Sequence, residues 1–314
     1  MFDSAPAMTL TEGAAATHQA IIGDRLRLAL DSTLAAAVIG ACGPFAHPAL
    51  VCDIAIGQST VATQRVKANL FYRGLQFHRY PEIGDTLSTR TEVVAMKQNS
   101  AKPGRTPTGL AALRMITADQ QGRRILDFYR CAMLPCRESA ENTGHADDLS
   151  AVGERAPQAP DPTAEWDADA YRDRVPGAPF DWELVGVEFV STADLVSNAT
   201  ELARLTLNVA STHHDWRVGG QRLVYGGHTI GLALAQATRL LPDLVTVLDW
   251  QSCDHTGPVY EGDTLFSRVR IEQAVSRQGG RGTALRLRSL VFAAATGDTP
   301  ERQVLDWRFT ALSY

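Results

Sequence analysis

A tetrapeptide that occurs twice constrains this chain more than any other feature. Gly84-Asp85-Thr86-Leu87 returns as Gly262-Asp263-Thr264-Leu265, 178 residues later. The flanks agree, with Pro81-Glu82 before the first copy and Tyr260-Glu261 before the second. Upstream, the apolar stretch 49–58 aligns with 227–236 in the same register. Downstream, Ile125-Leu126-Asp127-Phe128 is echoed one residue out of register by Val304-Leu305-Asp306-Trp307. Three separated matches at spacings of 178, 178 and 179 residues mark a duplication, so the chain is expected to fold as two versions of one unit. Its 314 residues suit about two domains.

The copies are expected over 19–138 and 180–314, with a tail over 1–18 and a connector over 139–179. The connector carries Pro157, Pro160, Pro162, Pro176 and Pro179 among Ala, Asp and Glu. Trp166 and Tyr171 give its second part something to bury. Within the second copy, Ser191 and Asp194 are spaced as a capping box, predicting a helix through Leu195, Leu202 and Leu205. A helix over 228–241 follows, apolar on all faces and therefore buried on all sides. Strand-like runs over 245–250, 264–273, 283–293 and 303–312 complete the unit. Arg286, Arg288 and Ser289 interleave with Leu285, Leu287 and Leu290, as in a sheet with one wet face. The last three runs are joined by short polar turns, which predicts an antiparallel sheet. A buried helix wrapped by a curved antiparallel sheet is an α+β architecture, and two such units side by side would share one continuous sheet.

Bulk properties narrow the function classes. Lys and Arg total 30 against 35 Asp and Glu, for a net charge of −5, which gives no electrostatic reason to expect nucleic acid or an anionic membrane as partner. At 45% hydrophobic residues the composition is that of an ordinary globular protein. The five cysteines, Cys42, Cys52, Cys131, Cys136 and Cys253, are scattered without a C-x-x-C pair, which speaks against a disulfide framework or a thiolate zinc site. The first 24 residues hold no Lys or Arg, so a secretory n-region is missing and a cytoplasmic protein is expected. The uncharged stretch 32–52 is interrupted by Gly40, Gly43, Pro44, His47 and Pro48, and reads as core plus turn rather than a membrane span.

One region carries chemistry. It runs Leu205-Thr206-Leu207-Asn208-Val209-Ala210-Ser211-Thr212-His213-His214-Asp215, and shortly afterwards comes Arg222-Leu223-Val224-Tyr225-Gly226-Gly227-His228-Thr229. Here the sequence resembles the MaoC-like double hot-dog hydratases and dehydratases. In that family an Asp at a helix end is followed five positions later by a His, and a glycine step opens the central helix. Asn208 stands at the Asp position, His213 at the His position, and Tyr225-Gly226-Gly227 at the glycine step. The Tyr-Gly-Gly-His wording is most similar to the branch containing mesaconyl-CoA (2-methylfumaryl-CoA) hydratases and is near the (R)-specific enoyl-CoA hydratases.

The resemblance implies a tandem hot-dog fold and reversible addition of water to a short or branched enoyl-CoA. It implies an acyl-CoA as substrate and partner, no metal and no separate cofactor. Hot-dog sheets pair edge to edge, which adds a homodimer to the expectations. The residue types suit the chemistry. A histidine near its usual pKa can take a proton from water and return one to the α-carbon. The backbone N–H groups of Gly226 and Gly227, at a helix start, can hold the enolate-like oxygen. Glycine there would let the thioester approach the backbone. Asn208 departs from the family pattern. An amide cannot accept a proton as a carboxylate does, so orientation falls to Asn208 and proton transfer to His213. At the same register the first copy has Pro48-Ala49, and proline has no N–H to donate, so the first copy reads as non-catalytic.

Thioester hydrolysis and non-catalytic acyl-CoA binding stand as the alternatives. Other residues read more plainly. His214 and Asp215 are loop residues, and His228 caps or packs. Asp254-His255 is a candidate acid/base pair where the family has a sheet edge, and His255 and Tyr225 are candidate substrate contacts. Asp85 and Asp263 are structural, since both copies keep them. Residues 277–281 form a hairpin tip.

Overall fold

The computed structural model describes residues 5–40, 43–101, 103–136, 142–154, 159–177, 180–297 and 299–314. Cys42, Pro157 and Pro179, named above, and the first residue of the connector lie outside them. Among the described residues, eleven strands form one antiparallel sheet. The first copy contributes β1 (Met8–Thr9), β2 (Ala68–Phe77), β3 (Thr86–Gln98), β4 (Thr108–Ala118) and β5 (Arg124–Pro135). The second contributes β6 (Glu188–Val190), β7 (Asp194–Leu195), β8 (Leu244–His255), β9 (Thr264–Ser276), β10 (Thr283–Ala293) and β11 (Arg302–Ser313). From the midline outward the order is β2-β5-β4-β3-β1 on one side and β8-β11-β10-β9-β6 on the other, with β7 also on β9. The strands β2 and β8 join antiparallel at the centre, so the duplication is written into the topology.

Seven helices accompany the sheet among the described residues: α1 (Glu12–Ile22), α2 (Arg27–Leu30), α3 (Ser32–Ile39), α4 (Pro48–Ser59), α5 (Ala168–Arg174), α6 (Ala199–Leu205) and α7 (Gly226–Leu240). The central pair, α4 and α7, packs against the strands and against each other. All twelve residues of α4 are buried, and so are the twelve from Gly227 to Thr238 in α7. A helix with no wet face is stabilised by packing rather than propensity. The duplicated polar residues fasten each helix and turn identically. Gln58 and Gln236 each donate from Nε2 to a strand carbonyl, Leu87 O and Leu265 O, both at 2.9 Å. Asp85 and Asp263 accept from the N–H of Glu82 (3.0 Å) and Tyr260 (2.9 Å), closing matching turns in which Gly84 and Gly262 take φ of 109° and 96°. Only glycine adopts such a φ without strain.

Several local expectations are corrected. The box at Ser191 and Asp194 caps no helix. Ser191 pairs through its backbone with Ser267, and the Asp194 carboxylate holds Arg239 and Gln236, so the segment is extended and α6 starts only at Ala199. Residues 8–18, read as tail, are β1 and most of α1. Thr11 caps α1 by accepting from Ala14 N–H, and His18 is buried. Strict alternation puts Ser289 inward and Leu290 outward on β10, the reverse of the sequence reading. Asp254 and His255 end β8, a central strand rather than a sheet edge.

The second part of the connector packs firmly. Trp166 lies against Phe45 and Tyr80 (ring centroids 5.8 and 5.2 Å), and α5 buries Tyr171. Between α3 and α4 the chain is broken by Gly40 in the left-handed region. No helix among the described residues is long and apolar enough to cross a membrane.

Candidate active site

The chain leaving α6 makes an abrupt turn. Leu207 takes a left-handed φ of 60°, a conformation that usually falls to glycine, and the N–H groups of Leu207 and Asn208 close back onto Arg204 O and Ala203 O. Holding a leucine there costs about 1–2 kcal/mol. The turn drives Asn208 inward, where it is 3% exposed. Its Oδ1 accepts from Ala210 N–H at 3.0 Å, which fixes the amide orientation and leaves Nδ2 as the free donor. The following loop is fastened to the other copy. Val209 N–H donates to Thr60 Oγ1 (2.9 Å), and Ser211 donates to Gln64 O from its N–H (2.9 Å) and its hydroxyl (3.1 Å). Gly57 of α4 admits this contact, because a Cβ there would lie 1.7 Å from Thr206 O.

His213 closes a short 3₁₀ turn, Ser211–His213. Its Nδ1 lies 2.7 Å from Leu223 O. A carbonyl can only accept, so Nδ1 carries the proton and Nε2 keeps its lone pair. Burial pulls the imidazole down to about 4, with His214 and the Arg130 charge acting in the same direction against the stabilising Leu223 bond. At neutral pH it is therefore an uncharged base. Tyr225 packs edge-on to this ring at 5.8 Å and turns its hydroxyl away, donating to Asp53 O at 3.1 Å. His214 is engaged elsewhere, with its Nε2 2.7 Å from Asn208 O, and Asp215 pairs with Arg217.

The start of α7 completes the arrangement. Tyr225 is its N-cap residue and gives no side-chain cap, and among the described residues no acceptor meets the N–H of Gly226 or Gly227. Such a terminus presents free donors and the positive end of the helix dipole. Packing adds a reason for the two glycines. A Cβ on Gly226 would sit 2.7 Å from the His255 ring, and one on Gly227 would sit 1.9 Å from Asp53 Oδ1 on α4. Packing by two neighbours therefore disfavours a side chain at both positions.

Asn208, His213, Tyr225, Gly226 and His255 all line one cavity of about 400 Å³, whereas Gly227 lies behind its wall. His255 is held neutral by burial, at about 4, and among the described residues its Nε2 has no partner. The first copy supplies part of the wall, including Thr60, Lys67, Asn69, Tyr72 and Arg130. These residues were not singled out in the sequence. Arg130 had a legible signal, since it shares the inward phase of β5 with Phe128 and Ala132. No cluster of three or more His, Cys, Asp or Glu that could hold a metal ion occurs among the described residues.

No protein-family model matches the chain. It is similar to the beta-methylmalyl-CoA dehydratase of Chloroflexus aurantiacus, 28% identical over 97% of this chain and 91% of that one. It is also similar to the mesaconyl-CoA hydratase of Cereibacter sphaeroides, 29% identical over 73% of this chain and 68% of that one. Among solved structures it superimposes on a conserved hypothetical protein from Mycobacterium tuberculosis with a double hot-dog fold. That protein is 64% identical, with a TM-score of 0.95, over 100% of this chain and 95% of the other.

Proposed function

The chain belongs to the MaoC-like double hot-dog hydratases and dehydratases, and on that premise we propose that it reversibly adds water to a short, branched enoyl-CoA of the mesaconyl-CoA type. In this reading His213 Nε2 removes a proton from water, and the oxygen attacks the β-carbon. Electron density moves onto the thioester oxygen, which accepts from the amides at the start of α7. The imidazolium then returns its proton to the α-carbon, so the ring ends as it began. Asn208 Nδ2 donates to the water or the substrate and holds it in line. Dehydration is the same path in reverse.

The observation that carries this reading is the neutral His213, its Nδ1 proton fixed by Leu223 O, on the same cavity as the uncapped glycine start of α7. General acid–base help of this kind contributes about 10²- to 10⁴-fold. The test offers purified protein mesaconyl-CoA and crotonyl-CoA and follows enoyl absorbance and free thiol together. Loss of absorbance without thiol release is expected, and His213→Ala should lower the rate by about 10²- to 10⁴-fold with an unchanged melting temperature. Thiol release would assign hydrolysis instead, and a His213→Ala variant as active as the parent would remove the base.

A further inference from the structure

Arg130 is the anomaly of the cavity. It projects inward from β5, is 2% exposed, and among the described residues faces no carboxylate. Buried charges are ordinarily paired, because stripping water from a cation is costly unless an anion replaces it. Arg130 meets only neutral groups. Its Nη2 donates to Thr63 Oγ1 at 2.6 Å and Ser59 O at 3.3 Å, and Nε has no partner. Of the five guanidinium N–H donors, those on Nε and Nη1 are unused among the described residues. The rest of the wall repeats the theme. Asn69, one strand over on β2, also lines the cavity and has both side-chain polar atoms unpartnered. Lys67 is a second cation on the wall, which carries no Asp or Glu. The pocket is thus positively charged, polar on the first copy's side, and lacking a counter-ion.

We propose that Arg130, assisted by Asn69, is the group that receives the free carboxylate of a mesaconyl-type acyl chain and so selects that substrate over one without it. This rests on the hydration reading and extends it to specificity. The chemistry fixes where the anion must sit. In 2-methylfumaryl-CoA the free carboxylate is bonded to the β-carbon, the atom that receives water. A receptor for it must therefore share the small cavity with the base, as Arg130 does, rather than lie at a distant tail pocket. The non-catalytic copy then reads the substrate while the catalytic copy transforms it. Arg130 is a specificity residue here and takes no part in proton transfer.

The test compares mesaconyl-CoA with tigloyl-CoA, which has a methyl group in place of the β-carboxylate. The parent should favour mesaconyl-CoA in kcat/KM, and Arg130→Gln should lower that ratio by about 10²-fold or more, because a site built for hydrogen bonds discriminates strongly. Arg130→Lys, which keeps the charge, should recover part of the ratio. A ratio unchanged in Arg130→Gln, or an equal loss on both substrates, would make Arg130 a structural strap between β5 and α4 and overturn the proposal. Calorimetric titration with the same two thioesters separates this inference from the hydration reading. Preferential binding of mesaconyl-CoA, lost in Arg130→Gln, upholds the carboxylate site even if neither compound turns over, and equal binding of both by the parent overturns it. Should Arg130→Gln fail to fold, the parent's own preference between the two thioesters decides the matter.

Discussion

The two central helices begin in opposite ways. At α4 the first residue is Pro48, which has no N–H, and the next amide, that of Ala49, donates to His47 Nδ1 at 3.1 Å. The His47 Nε2 in turn lies 2.9 Å from Asp24 Oδ1, so the terminus is sealed by the chain's own side chains. At α7 the matching positions are Gly226 and Gly227, with no side-chain cap and no acceptor among the described residues. A missing N-cap costs about 0.5–2 kcal/mol. One copy took the stable solution, and the other kept its donors free. The difference teaches that two copies can share an architecture and still differ in the few donor atoms that one helix end leaves open.

The comparison can be broken first by imposing the character of α4 on α7. Gly226→Ala presses a methyl group on the His255 ring but keeps the amide, whereas Gly226→Pro also removes it. If that amide holds the enolate oxygen, the proline variant should be slower than the alanine variant by about 10²- to 10³-fold in kcat. Equal rates would leave the donor role to Gly227 or to neither. Next in size, Asn208→Ala removes the free Nδ2 donor and should lower kcat/KM by about 10- to 10²-fold, less than His213→Ala, because it disturbs alignment and not proton transfer. A loss as large as that of His213→Ala would show that the two act as one unit.

The pH profile gives a gentler test. Burial depresses His213 to about 4, so the base form dominates at higher pH. The acid limb of kcat/KM should rise through about pH 4 and level off by about pH 5 to 6, well below the limb expected of an unperturbed histidine. The fully buried His228, also held down to about 4 by burial, affects stability instead. It stays neutral in the fold and gains a proton more readily when unfolded. Stability should therefore fall as pH drops from about 6.5 toward 4, by up to about 3 kcal/mol from this one ring, as followed by denaturant titration. The smallest expected effect is the reverse exchange in the first copy. Pro48→Gly should create no second active centre, since Ala49 N–H remains held, and should cost about 0.5–1 kcal/mol of stability by loosening the unfolded chain.

The halves of this comparison were unequally legible in the sequence. The duplication, the buried helices and the shared turns could be read because each is local: apolar residues without a wet face, and Gly-Asp turns that force one geometry. The motif residues Asn208, His213 and Gly226 could be read through family likeness, and the fold brings them to one cavity. What escaped was set by contacts between the copies. Nothing near Gly227 in the chain announces that Asp53 will approach it, and nothing near Arg130 announces that it will face His213 across a cavity. Asp194 looked like a capping residue because its true partner, Arg239, lies 45 positions away. Alternation along β5 would have exposed Arg130 as an inward cation, a signal that needed only the correct strand phase.

The stitching of the loop 208–213 to Thr60 and Gln64 has a consequence for how such a chain can evolve. Cutting the gene between its repeats would strand three hydrogen-bond donors and unmoor the imidazole, even if the C-terminal piece kept its shape. The first repeat is the jig in which this loop of the second is clamped, so separating them would cost the loop its anchors.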